Sequence, residues 1–279
     1  MLCFTKMHGC GNDYIYFNCF DGVPPEPGKL AEELSRRRFS VGGDGIVLIC
    51  PSDVADAKMR MFNADGSEGK MCGNAIRCVG KYLYDNGMVS AEKLKIETLS
   101  GIKTLFLHIS GGKVDTVTVD MGAPVFETAL IPALLPCEKA VGYEHDYACG
   151  RYRITCVSMG NPHAVIFTDG IDSMDLEKYG PVFENDPAFP ERVNTEFVEP
   201  VDSATLKMRV WERGSGETLA CGTGACAAVC AAAENGLVPQ GKEITVRLRG
   251  GELYITYTGN TVLMRGEAVK VYDGTLEDI

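Results

Sequence analysis

The sequence predicts an α/β (α+β) protein made of two pseudo-symmetric halves. Each half is expected to be a curved, mostly antiparallel sheet wrapped around a central helix, with the active site in the cleft between the halves. Two observations favour this fold: the chain repeats itself once at a fixed spacing, and each copy holds a helical stretch followed by strand-like segments. Two copies are too few for a solenoid, which stacks at least three units, so a pair of related domains is expected.

The internal repeat keeps a single register over most of the chain, because Gly160 lies 149 residues after Gly11 and other motifs share that offset. The matching pairs are Gly11-Asn12 with Gly160-Asn161, Cys72-Gly73 with Cys221-Gly222, and Asn86-Gly87 with Asn235-Gly236. In each copy a Cys-Gly pair opens a helical stretch that stops at Asn-Gly, a typical helix end. The two cysteines therefore occupy equivalent places.

Periodicity places a helix and two strands after each cysteine. Helices are predicted over 74–85 and 223–234, and strands over 105–109, 114–119, 244–248 and 253–257. The second helix carries no charge before Glu234, which indicates a helix enclosed on all sides. We expect an N-terminal lobe over 1–121 and a C-terminal lobe over 122–266, with the segment 267–279 packed on the first lobe.

Composition and charge exclude several function classes. The 279 residues carry a formal net charge of −11, which disfavours nucleic acid as a partner. Arg36 to Arg38 follow two glutamates and are interpreted as the solvated end of an amphipathic helix. Without an apolar run of membrane-spanning length or a signal-peptide core, no membrane partner and a cytoplasmic location are expected. Twelve cysteines without paired Cys-x-x-Cys knuckles predict reduced thiols and no metal site.

Cys72 and Cys221 are the candidate catalytic residues. A cysteine at the start of a buried helix faces unsatisfied N–H groups and the positive end of the helix dipole, which stabilise a thiolate. A lone cysteine of this kind is more often just a small buried residue, but two at matching positions favour a joint role. Inversion of a carbon centre needs a base on one face and an acid on the other, which two thiols can supply. Gly73 and Gly222 let the backbone N–H groups approach a carboxylate closely.

The motifs around these cysteines resemble those of the diaminopimelate epimerase family over nearly the whole chain. They are HGCGNDY at Asn12, FNADGSEGKMCGN over 62–74, MGNPHAV at Asn161, VNTEFV at Asn194 and WERGSGETLACGTGA over 211–225. The resemblance implies two α/β halves and conversion of LL-diaminopimelate to the meso form without a cofactor. It also implies a role in lysine and peptidoglycan-precursor biosynthesis, and a homodimer.

The resemblance also implies a role for each site residue. Cys72 and Cys221 would be the two bases, and Glu212 and His163 would tune a thiol. The implied substrate-binding residues are Asn12, Asn63, Gly73, Asn74, Asn161, Asn194, Glu212, Arg213, Gly222 and Thr223. The chemistry fits, because an arginine fork grips a carboxylate and asparagine and glutamate side chains serve an ammonium group. Taken alone, the asparagines could simply form turns, Glu212-Arg213 a surface ion pair and His163 a core residue.

Two positions depart from the family pattern. Ala75 stands where the family usually has a second glycine, and we expect the helix to tolerate it. Gly45 follows Asp44 where some members have glutamine, so a side-chain contact from that position is lost. Asp44 and Gly45 are therefore not among the predicted site residues.

Two other readings remain open from the sequence. A proline or hydroxyproline racemase would share the architecture, but Asn74 and Arg213 argue against a substrate with only one head group. A non-catalytic amino-acid binding protein would also have two lobes, yet it would need no thiols. Binding without exchange of the α-hydrogen would favour that protein.

Overall fold

The computed structural model describes residues 2–277 of the chain, and these residues form two compact units. The first unit contains 2–120 together with 265–277, and the second contains 121–264. Three residues of the predicted lobes lie outside the described residues. They are Met1, at the start of the predicted N-terminal lobe, and residues 278 and 279, in the segment predicted to pack on that lobe.

The first unit is built mainly from strands, with a short helix and a longer one. Its elements are β1 (Leu2–Gly9), β2 (Asn12–Asn18), α1 (Pro27–Leu34), β3 (Gly45–Cys50), β4 (Ala57–Asn63), β5 (Glu68–Gly69), α2 (Gly73–Asp85), β6 (Lys93–Thr98), β7 (Gly101–Ser110) and β8 (Lys113–Gly122). The pairs β1–β2, β3–β4, β6–β7 and β7–β8 are antiparallel. The pairs β2–β3 and β4–β6 are parallel, and β5 adds to β4.

The second unit repeats this plan. Its elements are β9 (Tyr143–Tyr147), β10 (Gly150–Ser158), β11 (Pro162–Phe167), α3 (Leu176–Glu184), β12 (Asn194–Asp202), β13 (Thr205–Glu212), β14 (Gly216–Glu217), α4 (Gly222–Glu234), β15 (Glu243–Leu248) and β16 (Gly251–Tyr257), with 3-10 turns at Thr128–Leu130 and Ile171–Ser173. The pairs β10–β11, β12–β13 and β15–β16 are antiparallel, and β11–β12 and β13–β15 are parallel. This is the same alternation as along β1, β2, β3, β4, β6 and β7.

The chain ends with strands β17 (Val262–Glu267) and β18 (Val269–Leu276). Strand β18 pairs antiparallel with β1, with Leu2 opposite Leu276. The first unit therefore closes with the two ends of the described chain side by side.

Helices α2 and α4 are the central helices of their units, each with 13 residues and a start offset of 149. In α4, residues 224 to 232 are all buried, and the helix contacts β10, β11, β12, β13, β15 and β16. A sheet curled around an apolar helix removes every face of that helix from water, which explains why α4 has no polar stripe. The predicted fold class is thus confirmed, with both helices starting one residue earlier than predicted.

One interpretation of the sequence was wrong. Helix α1 ends at Leu34, so Arg36 to Arg38 do not continue it. Arg38 has a left-handed φ of 73°, and the guanidinium of Arg37 donates to both Asp13 and Asp44. The basic run is a turn whose central arginine binds two carboxylates. These hydrogen bonds stabilise the turn more than another turn of helix would. No helix within residues 2–277 is long and apolar enough to cross a membrane.

Candidate active site

Each predicted catalytic cysteine is the N-cap of its unit's central helix. Cys72 has extended backbone angles (φ −133°, ψ 122°) and precedes α2, and Cys221 (φ −120°, ψ 110°) precedes α4. The sulfur of Cys72 accepts from the Ala75 N–H at 3.5 Å, and the sulfur of Cys221 accepts from the Gly224 N–H at 3.4 Å. A thiol in the N-cap position faces the positive end of the helix dipole, as the sequence predicted.

The backbone after each cysteine offers donors to an anion. The first intrahelical bonds run from Ile76 N–H to Cys72 O at 3.0 Å and from Ala225 N–H to Cys221 O at 2.9 Å. The preceding N–H groups, at Gly73 and Asn74 and at Gly222 and Thr223, stand before the helical hydrogen-bond ladder begins. These N–H groups are the donors to which a carboxylate could bind at a helix N-terminus.

Cys72 has an asparagine as its side-chain partner. Its thiol lies 3.3 Å from Asn12 Oδ1, and Asn12 Nδ2 donates to Asp44 Oδ2 at 2.8 Å. A carboxylate only accepts hydrogen bonds, so Asp44 fixes which end of the amide faces the sulfur. The amide oxygen therefore faces Cys72 and accepts from its protonated form. Asp44 in turn binds the Asp13 N–H and Arg37.

Asn74 carries an unsatisfied buried group next to Cys72. The side chain is 3% exposed, and its Oδ1 has no hydrogen-bond partner among residues 2–277. An unpaired buried amide oxygen costs free energy, so a donor supplied by a ligand would be favoured there. Asn63, the other asparagine predicted in this unit, ends β4 and donates from Nδ2 to Ser67 Oγ at 3.0 Å in the following turn.

Cys221 is more enclosed than Cys72 and lies near two carboxylates. The residue is 5% exposed. Burial raises the pKa of the Cys221 thiol well above its ordinary value, and the carboxylates of Glu212 and Glu196 raise it further. Hydrogen bonds from Thr223 and the Gly224 N–H act in the opposite direction. Burial also raises the pKa of Glu212, whose Oε1 accepts from the Thr218 hydroxyl.

A chain of hydrogen bonds connects His163 to Cys221. His163 Nε2 lies 3.0 Å from Asn161 Oδ1, and Asn161 Nδ2 donates to Thr223 Oγ1 at 3.4 Å. The Thr223 hydroxyl lies 3.5 Å from the sulfur of Cys221. The structure thus brings the predicted residues Asn161, His163 and Thr223 together at one thiol.

Asn194 and Arg213 are joined through the main chain. Asn194 Oδ1 accepts from the Arg213 N–H at 3.0 Å, and Asn194 Nδ2 donates to Pro162 O at 2.8 Å. The guanidinium of Arg213 donates from one terminal nitrogen to Glu191 O at 2.9 Å. Asn194 therefore holds the Arg213 segment next to the start of β11, where Asn161 and His163 lie.

Two acidic residues beside the cysteines were not among the predicted site residues. Asp44 fixes the amide of Asn12, and Glu196 Oε1 lies 2.6 Å from His163 Nδ1 with both side chains fully buried. The sequence does contain a signal for Glu196, because an acid directly before the apolar pair Phe197-Val198 is unusual for a buried strand. No group of three or more His, Cys, Asp or Glu side chains in the described part of the chain is placed to hold a metal ion.

Two comparisons of the sequence with known proteins agree on one family. A sequence model described as diaminopimelate epimerase matches residues 4–127 and 155–271. The diaminopimelate epimerase of Acetivibrio thermocellus is 52% identical over 276 residues, covering 98% of both chains. That of Bacillus cereus is 52% identical over 279 residues, covering 98% of this chain and 96% of the relative.

Solved structures with much lower sequence identity share the fold. A phenazine biosynthesis protein of the PhzF family from Bacillus anthracis has a TM-score of 0.71 at 19% identity, covering 99% of both chains. A probable proline racemase from Agrobacterium radiobacter has a TM-score of 0.71 at 15% identity, covering 99% of this chain and 93% of the other. At such identities the likeness speaks for the architecture alone.

Proposed function

This chain belongs to the diaminopimelate epimerase family, and we propose that it converts LL-2,6-diaminopimelate to the meso form with two thiols as acid and base. The family resemblance read from the motifs is confirmed, and the chain is an isomerase. The observation that carries the mechanism is the pair of cysteine N-caps on equivalent helices, 149 residues apart.

The chemistry of the α-carbon explains why two capping thiols suit this reaction. The α-hydrogen is weakly acidic, and its removal places charge on a carboxylate that is already negative. Backbone N–H groups at Gly73 and Asn74, and at Gly222 and Thr223, would stabilise that charge as it develops. One thiolate removes the α-proton, and the thiol from the other unit delivers a proton to the opposite face.

The remaining predicted residues divide between the two ends of the substrate. Near Cys72, Asn12 orients the thiol and the unpaired Oδ1 of Asn74 accepts from the ammonium group of the reacting end. The distal head group would be recognised by Arg213 and Glu212 with the amides of Asn63 and Asn161, and Asn194 would contribute through Arg213. Because both amide ends of Asn194 already bind main-chain groups, its contribution is to position Arg213.

Two residues tune the thiol of Cys221. Glu212 and Thr223, the last residue of the chain that begins at His163, both interact with this sulfur. The proposal further includes a homodimer in the cytoplasm that takes a small-molecule substrate, acts in lysine and peptidoglycan-precursor biosynthesis, and needs no cofactor, nucleic acid or membrane. These points depend on the family resemblance and, for nucleic acid, on the net charge of −11.

Substrate preference tests the proposal directly. Purified protein is incubated with LL-diaminopimelate or with L-proline, and the stereoisomers are separated by chiral chromatography. We expect meso-diaminopimelate to accumulate and proline to stay unchanged, because proline lacks the head group that Arg213 would bind. Turnover of proline alone would overturn the substrate assignment, and binding without inversion of either would overturn the enzymatic one.

A further inference from the structure

Packing alone does not explain why the carboxylate of Glu196 is buried. It lies on β12 between Thr195 and Phe197 and is fully buried. Its Oε1 contacts His163 Nδ1, and its Oε2 has no hydrogen-bond partner within residues 2–277. A buried carboxylate oxygen without a donor destabilises a fold. Retention of such a group next to a functional thiol points to an electrostatic role.

The carboxylate also lies against the first turn of α4. A Cβ atom added to Gly224 would come within 2.6 Å of Glu196 Oε1 and 3.3 Å of the Cys221 sulfur. Glycine at 224 thus leaves the space in which the carboxylate approaches the turn that carries Cys221. The N–H of the same glycine donates to the Cys221 sulfur.

The orientation of each group in the relay gives the chain a direction. His163 Nδ1 lies against a carboxylate oxygen and Nε2 lies against the amide oxygen of Asn161, and each of these oxygens can accept a hydrogen bond from the ring. The amide NH₂ of Asn161 then donates to Thr223. The Thr223 hydroxyl lies 3.5 Å from the Cys221 sulfur, and its proton is available to donate there because the oxygen serves as the acceptor for Asn161. A relay in this orientation ends in a donor, which stabilises thiolate over thiol.

We propose that Glu196 is a positioning residue for Cys221: it holds His163 as a double donor, and Asn161 and Thr223 transmit that polarity to the sulfur. The inference builds on the proposed function, since it concerns the thiol that acts there. It assigns to Glu196 the part that a carboxylate plays when it accepts from a ring N–H and so fixes the orientation of a neighbouring imidazole.

Other charged groups face the same histidine. Glu212 on β13 interacts electrostatically with His163, Cys221 at the start of α4 interacts with both Glu212 and Glu196, and the neighbour of His163 on β10 is Val157. The direct effect of the Glu196 charge on Cys221 is opposite to the relay, because a nearby carboxylate disfavours a thiolate. Removing the Glu196 charge should therefore slow alkylation of Cys221 if the relay dominates, and speed it if the direct effect of the charge dominates.

The experiment measures how fast Cys221 reacts with iodoacetamide in the full-length protein without substrate, from pH 7 to pH 10, by peptide mass spectrometry. The variant is Glu196→Gln, which removes the charge and keeps the shape. Cys72 in the same molecules is the internal control. The matched control variant is Glu199→Gln, which removes a carboxylate from the same strand that accepts from the Gly170 and Ile171 N–H groups.

We expect Glu196→Gln to slow Cys221 alkylation at pH 8 about tenfold, the effect of a pKa raised by one unit, with Cys72 and Glu199→Gln unchanged. Thr223→Val, which removes the last donor, should slow Cys221 to a similar extent. Adding Glu196→Gln to Thr223→Val should then produce no further slowing. Faster or unchanged alkylation of Cys221 in Glu196→Gln would overturn the relay and leave Glu196 as a local charge only.

A second variant covers the case in which Glu196→Gln does not fold. Glu196→Asp keeps the charge but withdraws it from the ring, so the relay predicts slower alkylation and a purely local charge predicts no slowing. The readout needs no turnover. Failure of the epimerase assignment would show as absent inversion of diaminopimelate in the unsubstituted protein, while the effect on Cys221 would persist.

Discussion

The two cysteine-capped helices have the same length, the same start and the same N-cap geometry, but their surroundings differ. Cys72 is partly exposed and contacts Asn12 directly, whereas Cys221 is buried and reaches Asn161 only through Thr223. The amide oxygen faces the sulfur in the first unit, and the amide NH₂ points towards the thiol in the second. The repeat thus fixes where the thiols lie in their helices, while other side chains give each thiol different neighbours.

The anchoring residues explain this difference. In the first unit a carboxylate, Asp44, binds the amide of Asn12, and in the second unit a histidine, His163, binds the amide of Asn161. The anchoring side chain is a hydrogen-bond acceptor in the first unit and a donor in the second. The amides of the two equivalent asparagines are therefore oriented in opposite directions. A pair of thiols that must play complementary roles at one carbon gains from such asymmetry, because identical environments would favour the same protonation state in both.

Removal of either thiol is the largest change that tests the equivalence of the halves. Cys72→Ala and Cys221→Ala should each lower the rate of diaminopimelate inversion by at least about 10³-fold, within the range for loss of an acid or base. Chiral chromatography measures the rate, and circular dichroism checks the fold. Activity near the unsubstituted level in either variant would mean that one unit alone carries the reaction.

Equivalent positions in the first turns of the helices should respond differently to the size of the side chain. Gly224→Ala places a methyl group 2.6 Å from Glu196 Oε1, so we expect overpacking to lower the unfolding free energy by about 1–3 kcal/mol. The matched variant Ala75→Gly should cost roughly 0.5–1 kcal/mol through backbone entropy and leave inversion within about twofold. Urea unfolding measures both. Equal losses would contradict the asymmetric packing around the two caps.

The orientation of Asn12 should depend on Asp44. Asp44→Asn replaces a group that only accepts with one that can also donate, so Asn12 can turn its NH₂ towards Cys72. We expect kcat to fall roughly tenfold, as for loss of a hydrogen bond to a charged group, with little change in KM. Asp56→Asn, which makes the same change at a carboxylate that accepts from the Lys95 N–H, is the matched control and should behave like the unsubstituted protein. A change confined to KM would indicate that Asp44 contacts substrate instead.

The effect of burying Cys221 can be measured without substrate. Burial raises the pKa of Cys221 well above its ordinary value, so its thiolate fraction grows only at alkaline pH. At pH 8 we expect iodoacetamide to modify Cys72 at least about tenfold faster than Cys221, with the ratio falling as the pH rises. Peptide mapping after brief exposure measures both sites. Faster modification of Cys221 would reverse the comparison.

Much of this architecture could be predicted from the sequence because it depends on local signals. The Cys-Gly start and the Asn-Gly stop bound α2 and α4 to within one residue, and the fixed offset predicted two equivalent units. Helix length and end signals are encoded by neighbouring residues, which one sequence displays directly.

The side chains around each thiol could not be found in this way. Asp44 reaches Asn12 where β3 begins beside β2, and Glu196 reaches His163 across β11 and β12. Both strand pairs are parallel, so these partners come from separate segments, 32 or 33 residues apart, whose register no spacing rule gives. The turn of Arg36 to Arg38 was missed for the same reason, since Asp13, a carboxylate partner of Arg37, lies on strand β2, far from the turn in sequence.

The fate of the α-hydrogen tests the two-thiol mechanism most directly. The protein is incubated with LL-diaminopimelate in deuterium oxide, and both the recovered substrate and the meso product are analysed at early times by mass spectrometry. If one thiol removes the proton and a different thiol supplies its replacement, the product carries one deuterium at the inverted carbon and the recovered substrate carries none. Product that keeps the original hydrogen, or label entering substrate as fast as product, would show that one group serves both faces of the carbon.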